Sequence, residues 1–354
     1  MKNKKIIIFI IILILLLSIC ILFYKVYDNK KNKSQNNIKK EIKKEKTDTI
    51  KPEITLLGKP KYTLVKGSIY EEYGAVATDN IDKDITDKIE IKNNLDINKE
   101  GNYEIIYSVK DSSDNISIVK RIVSVIKVED KATEIPVLMY HYFYDETIEE
   151  GKDSNYLSKS KFEEQLKYLK DNNYYFPTMK EIDLFLDNKI DLPKKSVVIT
   201  IDDGAVSSYT IAYPLAKQYQ IPMVMFVVTS WTNPKEELQT EMISSGYIYM
   251  QSHTHNMHKS GCPNQKHGAY IQCVPKEEGI NDLKESVKIL NSNDSIAYPC
   301  GDYNEHAIEI VKEAGIKLAF TTEYGKVNRN SNRYYLPRVR INSSINLNQF
   351  ISSL

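Results

Sequence analysis

From Ile6 to Tyr24 the chain is uncharged for nineteen residues, with Ser18 and Cys20 its only mildly polar members. As an α-helix this run extends roughly 28 Å, close to the hydrocarbon thickness of a bilayer. Lys2, Lys4 and Lys5 precede it, which predicts a cytoplasmic tip and a single-pass membrane anchor over residues 1–24. A cleavable signal peptide is the alternative. The run is long for its apolar core, and no small-x-small site follows Phe23–Tyr24–Lys25. A lipoprotein box ending at Cys20 would place the bulky Ile19 just before the cut. Beyond it, Lys25–Lys51 shows no periodicity and holds ten Lys and four acids among Asn and Gln. Such a segment buries too little apolar surface to offset its ordering entropy, so it predicts a solvated stalk. A polybasic patch drawn to acidic polymer or lipid is the functional variant of the same reading.

The pattern then changes to period two. Tyr103, Ile105, Tyr107 and Val109 face one way while Glu104, Ser108 and Lys110 face the other, which predicts a half-buried strand. Asp111–Ser112–Ser113–Asp114–Asn115 reads as a turn, and Ile116–Val128 is rich in β-branched residues. Residues 52–130 are therefore expected to form a small all-β sandwich. Asp79, Asp82 and Asp84 either offer carboxylates to calcium or form an ordinary solvated turn, the latter favoured because no oxygen-rich loop of recognised spacing is present. Nothing here suggests catalysis; a spacer is the first expectation and a weak glycan-binding module the second.

From residue 135 the order is strand, loop, helix, repeated. Expected strands are Ile135–Tyr140, Ser196–Ile201, Met223–Val228, Tyr247–Met250, Ser295–Tyr298 and Lys317–Phe320, with Leu336–Ile341 last. Helical faces lie between them, among them Phe162/Leu166/Leu169, Ala212–Tyr219, Lys276–Leu290 and Glu305–Ala314, with a helix from Leu347 to the end. About seven strand–helix units over 135–354 predict an α/β domain, a (β/α)7 barrel, with chemistry at the C-terminal ends of its strands.

Composition changes this picture in one respect. The 354 residues carry a net charge of +1, 42% hydrophobic and 27% charged residues, which gives no support to a nucleic-acid binder. The near-neutrality is a cancellation between a Lys-rich N-terminal region and a mildly acidic remainder. Four Cys exclude a disulfide-dense scaffold. Outside the cytoplasm Cys262 and Cys273 are expected to close a loop holding Pro263, His267 and Gly268, a candidate substrate-facing lid; two free thiols are the alternative.

Candidate chemistry collects at strand ends. One strand ends in Asp202–Asp203–Gly204, another runs into His253–Thr254–His255–Asn256–Met257–His258, and the first ends at His141; four of the six His follow barrel strands. Two adjacent carboxylates in one pocket repel unless a cation compensates. With a divalent ion present, one Asp ligates and the other accepts protons. One Asp and two His leave coordination positions for water and substrate, although His253–Thr254–His255 is itself a possible chelate. A solvated strand-end turn is the bland alternative.

Ile199–Thr200–Ile201–Asp202–Asp203–Gly204, Ser252–His253–Thr254 with His258, Tyr298–Pro299–Cys300–Gly301 and Met139–Tyr140–His141 resemble the polysaccharide deacetylase family (NodB homology, carbohydrate esterase family 4). The resemblance is nearest the poly-N-acetylglucosamine deacetylase branch and covers about Pro136 to Leu354. The preceding region resembles bacterial immunoglobulin-like surface modules, in Tyr73–Gly74–Ala75, Asp79–Asn80–Ile81–Asp82 and Gly101–Asn102–Tyr103. The resemblance implies Asp202 as general base, His141 as general acid, and Asp203, His253 and His258 as ligands of a divalent metal, zinc first, with Co2+, Ni2+ or Mn2+ as alternatives. It leaves His255 without a ligand role, and assigns Tyr298, Pro299, Cys300 and Gly301 to a loop whose backbone N–H holds an oxyanion. Cys300 is expected as a small buried residue.

Two departures stand out. The third motif has no Arg to pair with the base, and a late Leu-x-His motif is absent. Arg338 or Arg340 is expected to take the pairing role from the last strand, against an ordinary surface ion pair. The implied reaction is N-deacetylation of an acetamido sugar in a cell-envelope glycan, peptidoglycan first and secreted poly-N-acetylglucosamine second, by a membrane-anchored extracellular enzyme. Trp231 and the many Tyr are as readily core as sugar platform. A non-catalytic glycan-binding surface protein is the alternative of a different class, and it predicts a damaged site.

Overall fold

The computed structural model describes residues 17–35, 48–231, 236–263 and 267–354. Residues 1–16, which hold most of the expected anchor, lie outside the described residues. No helix among the described residues is long and apolar enough to cross a membrane. The described part of α1 covers residues 17–35, all exposed, so helix continues past Tyr24 into the first part of the expected stalk. A helix satisfies its own backbone without burying anything, and Asn32 Nδ2 donates to Asp28 Oδ2 one turn back, at 3.3 Å.

The β domain is a sandwich of two sheets. One sheet holds β1 (Glu53–Leu56), β3 (Ala75–Asp79) and β4 (Lys83–Asp84); the other orders β2 (Lys61–Val65), β7 (Ile116–Ile126), β6 (Gly101–Lys110) and β5 (Glu90–Asn93). The β6–β7 hairpin is in register from Gly101↔Val125 to Lys110↔Ile116, and its alternation buries Ile105, Tyr107 and Val109 against Ile54, Leu64, Ala77 and Val123. Arg121 is fully buried here and bonds Glu72, Tyr107 Oη and the Leu57 carbonyl.

The second domain is a closed parallel barrel. Its strands are β9 (Val137–Tyr140), β12 (Val198–Ile201), β13 (Met223–Val227), β14 (Ile248–Ser252), β15 (Ser295–Ala297), β16 (Leu318–Tyr324) and β18 (Leu336–Arg340), in the order β12-β13-β14-β15-β16-β18-β9. Short pairs flank it: β8 (Glu134–Ile135) with β17 (Val327–Asn328), and β10 (Tyr142–Tyr144) with β11 (Tyr156–Ser158). Helices α2 (Lys159–Asp171) and α3 (Met179–Leu186) follow β9. Then α4 (Tyr213–Tyr219), α5 (Glu236–Ser244), α6 (Lys276–Leu290), α7 (Glu305–Glu313) and α8 (Leu347–Ser353) follow β12, β13, β14, β15 and β18. The sixth unit departs from expectation: β16 reaches β18 through β17 with no helix between. The intervening Gly325–Tyr335 has no apolar period to bury against the sheet.

The two domains pack against each other. Val65 packs with Met179, Ile182 and Phe185 in one core. Glu181, 1% exposed, accepts from Ser68 Oγ at 2.7 Å and from Tyr175 Oη at 2.5 Å, while its other oxygen completes the capping box of α3 with Thr178. A cavity between the domains is lined by Lys59, Tyr62 and Tyr73 and by Val198, Met223 and Tyr249, each at or next to the start of its barrel strand. The sandwich therefore seats on the N-terminal rim of the barrel, opposite the strand ends that carry the candidate chemistry. It is a fixed pedestal.

Candidate active site

Asp202 lies one residue beyond β12 and continues its ladder, its N–H donating to the Tyr140 carbonyl at 2.9 Å. Thr200 and Asp202 share a face by strand alternation, and both point into the barrel. There they meet Arg338 of β18, whose guanidinium grips Asp202 with two 2.7 Å bonds, Nη1 to Oδ1 and Nη2 to Oδ2. Nη1 also donates to Thr200 Oγ1 at 3.1 Å and Nε to the Thr321 carbonyl at 2.9 Å. Burial pushes the Asp202 carboxyl up, but the guanidinium outweighs it and holds the group below the usual carboxylate range. Arg340, at the strand's exposed end, instead reaches Asn155 Oδ1.

The chain reverses immediately afterwards. Asp203 has φ 73° and Gly204 φ 65°, a left-handed pair that Asp tolerates better than most residues. A Cβ at Gly204 would come within 2.9 Å of Val227 Cγ1, so glycine is needed there. The reversal aims Asp203 away from Arg338 and toward two imidazoles: His253 Nε2 and His258 Nε2 each stand 3.4 Å from Asp203 Oδ1. Tyr142 Oη, on β10, donates to Asp203 Oδ2. Burial works against ionising Asp203, and hydrogen bonds and charge from His253, with Tyr142, carry it well below the usual range.

His253 follows β14 and is buried, its Nδ1 2.7 Å from the Ala297 carbonyl. That bond assigns the proton to Nδ1 and leaves Nε2 to face Asp203. The loop after it turns on Thr254 (φ 74°) and is capped by Asp282 of α6, whose two oxygens accept from His255 N and Asn256 N at 2.8 Å each. Held this way, imidazoles five residues apart converge with ring centroids 4.5 Å apart. Burial, then neighbouring His253, lowers the pKa of His258, keeping it in the neutral form a ligand needs. Burial also disfavours a charged His253, yet Asp203 and Asp202 outweigh it and raise its pKa; the field that attracts a proton there attracts a divalent cation equally.

Asp203, His253 and His258 fit a metal ion. Their donor atoms lie within 4.8 Å of one another. Two ligands about 2.0–2.1 Å from a tetrahedral zinc ion stand roughly 3.3–3.4 Å apart, and both Asp203–His separations are 3.4 Å. His255 does not join them; its Nδ1 bonds Thr229 Oγ1 at 3.0 Å. His141 approaches from the other side, with Nε2 3.9 Å from Asp202 Oδ2. Burial, only partly offset by the two carboxylates, lowers its pKa.

The third motif forms a single turn from Pro299 to Gly301. Gly301 N donates to the Tyr298 carbonyl and Asp302 N to that of Pro299. Pro299 has no N–H, so Cys300 N–H is the turn's remaining backbone donor. Cys300 is exposed with φ 57°, not a small buried residue, because the left-handed turn throws its side chain outward. Cys262 and Cys273 are joined as a disulfide, their Cα atoms 5.7 Å apart. Residues 264–266 of the expected lid lie outside the described residues; the adjoining His267 is tied through N–H and Nδ1 to Asp302 at 3.0 and 2.8 Å, beside the third motif. Trp231, 48% exposed, sets its edge on the His258 ring at 5.3 Å. Sequence reasoning did not find Tyr142 or Asp282; the short Tyr142–Tyr144 strand directly after His141 was the available signal for the first.

Residues 54–125 match the family described as bacterial surface protein, Ig-like domain, and residues 189–319 match the polysaccharide deacetylase family. The second stretch contains Asp202, Asp203, His253 and His258, while His141 and Arg338 lie outside it. The chain is 36% identical over 200 residues to a poly-beta-1,6-N-acetyl-D-glucosamine N-deacetylase of Staphylococcus aureus (strain MRSA252), covering 52% of this chain and 67% of that protein. Among solved structures it is similar to the Streptococcus pyogenes deacetylase PplD in complex with acetate, with TM-score 0.54 and 27% identity over 63% of this chain and 98% of that one. It is also similar to IcaB from Ammonifex degensii, with TM-score 0.52 and 25% identity over 64% and 99%.

Proposed function

The chain belongs to the polysaccharide deacetylase family, and on that premise we propose that it removes N-acetyl groups from N-acetylglucosamine residues of a β-1,6-linked cell-envelope polymer. The observation that carries the chemistry is the division of labour between adjacent acids: Asp202 clamped by Arg338, Asp203 turned toward two imidazoles. The S. aureus relative's named substrate favours the β-1,6 polymer over peptidoglycan, which stays as the competing arm of the test.

Asp202, held as a carboxylate, takes a proton from the attacking water at one of its oxygens. The water oxygen bonds to the acetyl carbon, the C–N bond breaks, and His141 donates a proton to the departing nitrogen, giving acetate and a free amine. The lowered pKa of His141 makes its imidazolium a stronger donor. The resemblance assigns the oxyanion to a backbone N–H of the third-motif loop, and Cys300 supplies the candidate donor. A carboxylate held this low is a weak base, and a divalent ion on Asp203, His253 and His258, zinc first and Co2+, Ni2+ or Mn2+ next, supplies the Lewis acidity that polarises the amide and acidifies water.

The uncharged run Ile6–Tyr24 supports a single-pass anchor with the enzyme outside the cytoplasm, and the Cys262–Cys273 disulfide supports the same compartment. The test is acetate release from poly-β-1,6-N-acetylglucosamine, peptidoglycan and chitin oligomers side by side. Turnover of the first is expected. Release from peptidoglycan alone overturns the substrate, and release from none, with glycan binding retained, favours the non-catalytic reading.

A further inference from the structure

A second convergence of carboxylates lies in the sandwich, on the side of the chain that enters it. Asp48 precedes β1, Asp79 ends β3 and Asp111 follows β6, and one oxygen from each lies within 4.8 Å of the others. The grouping differs from the sequence expectation of 79, 82 and 84. Asp82 instead accepts from Ser112 N and Oγ, at 2.6 and 2.8 Å, and Asp84 from Thr86 N at 3.0 Å. Neighbouring cations are committed elsewhere, Lys88 to Asp82 at 3.8 Å and Lys110 to Asp114 at 2.5 Å. No Lys or Arg pairs with any of the three acids among the described residues.

One oxygen makes this more than an acidic patch. Asp79 is 8% exposed; its Oδ1 accepts from Ile81 N and Asp82 N at 2.8 Å each, whereas its Oδ2 is buried with no hydrogen-bond partner. Asp111, also buried, has Oδ1 on the N–H groups of Ser113 and Asn115 and Oδ2 on Asn115 Nδ2. A buried carboxylate oxygen without a donor is costly, and two further negative charges beside it add repulsion. A bound dication removes both costs.

We infer that Asp48, Asp79 and Asp111 form a calcium site that fastens the entering chain to the immunoglobulin-like domain. The donor set is all oxygen, which selects a hard cation; zinc is disfavoured with no imidazole or thiolate present. Ca2+ bonds oxygen at about 2.3–2.6 Å in flexible geometry, whereas Mg2+ demands near-ideal octahedral geometry at about 2.0–2.1 Å, so three carboxylates brought within 4.8 Å of one another from separate segments suit calcium better. Asp48 belongs to no strand. It is held by Asn115 Nδ2 on its carbonyl at 3.0 Å and Asn80 Nδ2 on its Oδ1 at 3.3 Å. Calcium sets the direction in which the chain enters the pedestal, and the pedestal is fixed to the barrel.

The experiment is equilibrium dialysis of the full chain against 45Ca2+, with hydrogen exchange over residues 48–56. One equivalent is expected to bind with a dissociation constant on the order of 10⁻⁴–10⁻³ M, the range of extracellular modules. Exchange should slow about fivefold with Ca2+ and not with equal Mg2+. Asp79→Asn and Asp48→Asn should each weaken binding about tenfold. Asp48 lies outside every strand, so its variant decides the matter where Asp79→Asn fails to fold, and acetate release should be unchanged in it. Absence of calcium binding, binding untouched by Asp48→Asn, or binding abolished only by Asp203→Ala would each overturn the site.

Discussion

Replacing Arg338 by Met removes a guanidinium that is fully buried and makes four bonds, two of them 2.7 Å contacts with Asp202. Met fills most of the stem's volume, so the perturbation is chiefly electrostatic. Breaking one side of a buried ion pair costs about 3–5 kcal/mol, because the partner is left charged and unpaired. The sign of the pH dependence is diagnostic. In the parent the folded-state pKa of Asp202 lies below its unfolded value, so the pair stabilises the fold above about pH 3.9 and that contribution is lost as pH falls through the folded value. In Arg338→Met burial is opposed only by the lesser attraction of His141 and His253, and the folded pKa is expected to rise above the unfolded one. Stability then falls as pH climbs past about 4, by up to about 1.4 kcal/mol per unit until Asp202 ionises. Urea unfolding of both proteins at pH 5 and 8, each pretreated with the same chelator, measures this. The acid limb of kcat/KM should move up by about 1–3 units, and Arg338→Lys should fall between. A stability gap that is absent, or equal at the two pH values, combined with an unmoved acid limb, would refute the pairing as the device that sets Asp202.

Three other outcomes follow from the site. Asp203→Ala should lose its metal, measured by elemental analysis after dialysis, whereas Asp202→Asn should keep it and lose about 10²–10⁴ in kcat; equal metal loss in both would show that the two acids are not divided as described. Tyr142→Phe, which removes the hydroxyl on Asp203 Oδ2, should weaken zinc affinity about 10–100-fold in a chelator competition, with the fold unchanged by circular dichroism. Gly301→Ala places a Cβ 2.2 Å from Thr322 Oγ1 at φ 73°, so the third-motif turn must shift. Acetate release should drop at least about tenfold while metal content stays at the parent level.

Much of the site was legible because its signals are local. Asp202–Asp203–Gly204 at the end of an apolar run, and imidazoles after the next-but-one strand, need only short-range alternation and the rule that barrel chemistry sits at strand C-termini. Alternation also located the β6–β7 hairpin, and helical spacing the helices facing the barrel. The missing helix between β16 and β18 was readable as well, since Gly325–Tyr335 carries no apolar period, although counting units hid it. What the sequence left open or missed depends on contacts between distant segments: the base partner was narrowed only to Arg338 or Arg340, and Tyr142 and Asp282 were not found. Cys300 was misplaced for a different reason: a left-handed backbone at a non-glycine residue leaves no mark in composition.

By itself, then, the sequence determined the elements, the strand ends and the chemical types gathered there, because hydrophobic period and turn residues act over a few positions. It could not choose between Arg338 and Arg340, which alternation puts on the same face of β18. The closing of the barrel decided that, setting Arg338 level with Thr200 and Asp202 and leaving Arg340 at the exposed end. Tertiary structure likewise laid Tyr142 on Asp203, seated the sandwich on the barrel floor through Glu181, and gathered Asp48, Asp79 and Asp111 from three separate segments. Each of these depends on the shear of a closed sheet or the packing of two domains, a long-range register that no local pattern encodes.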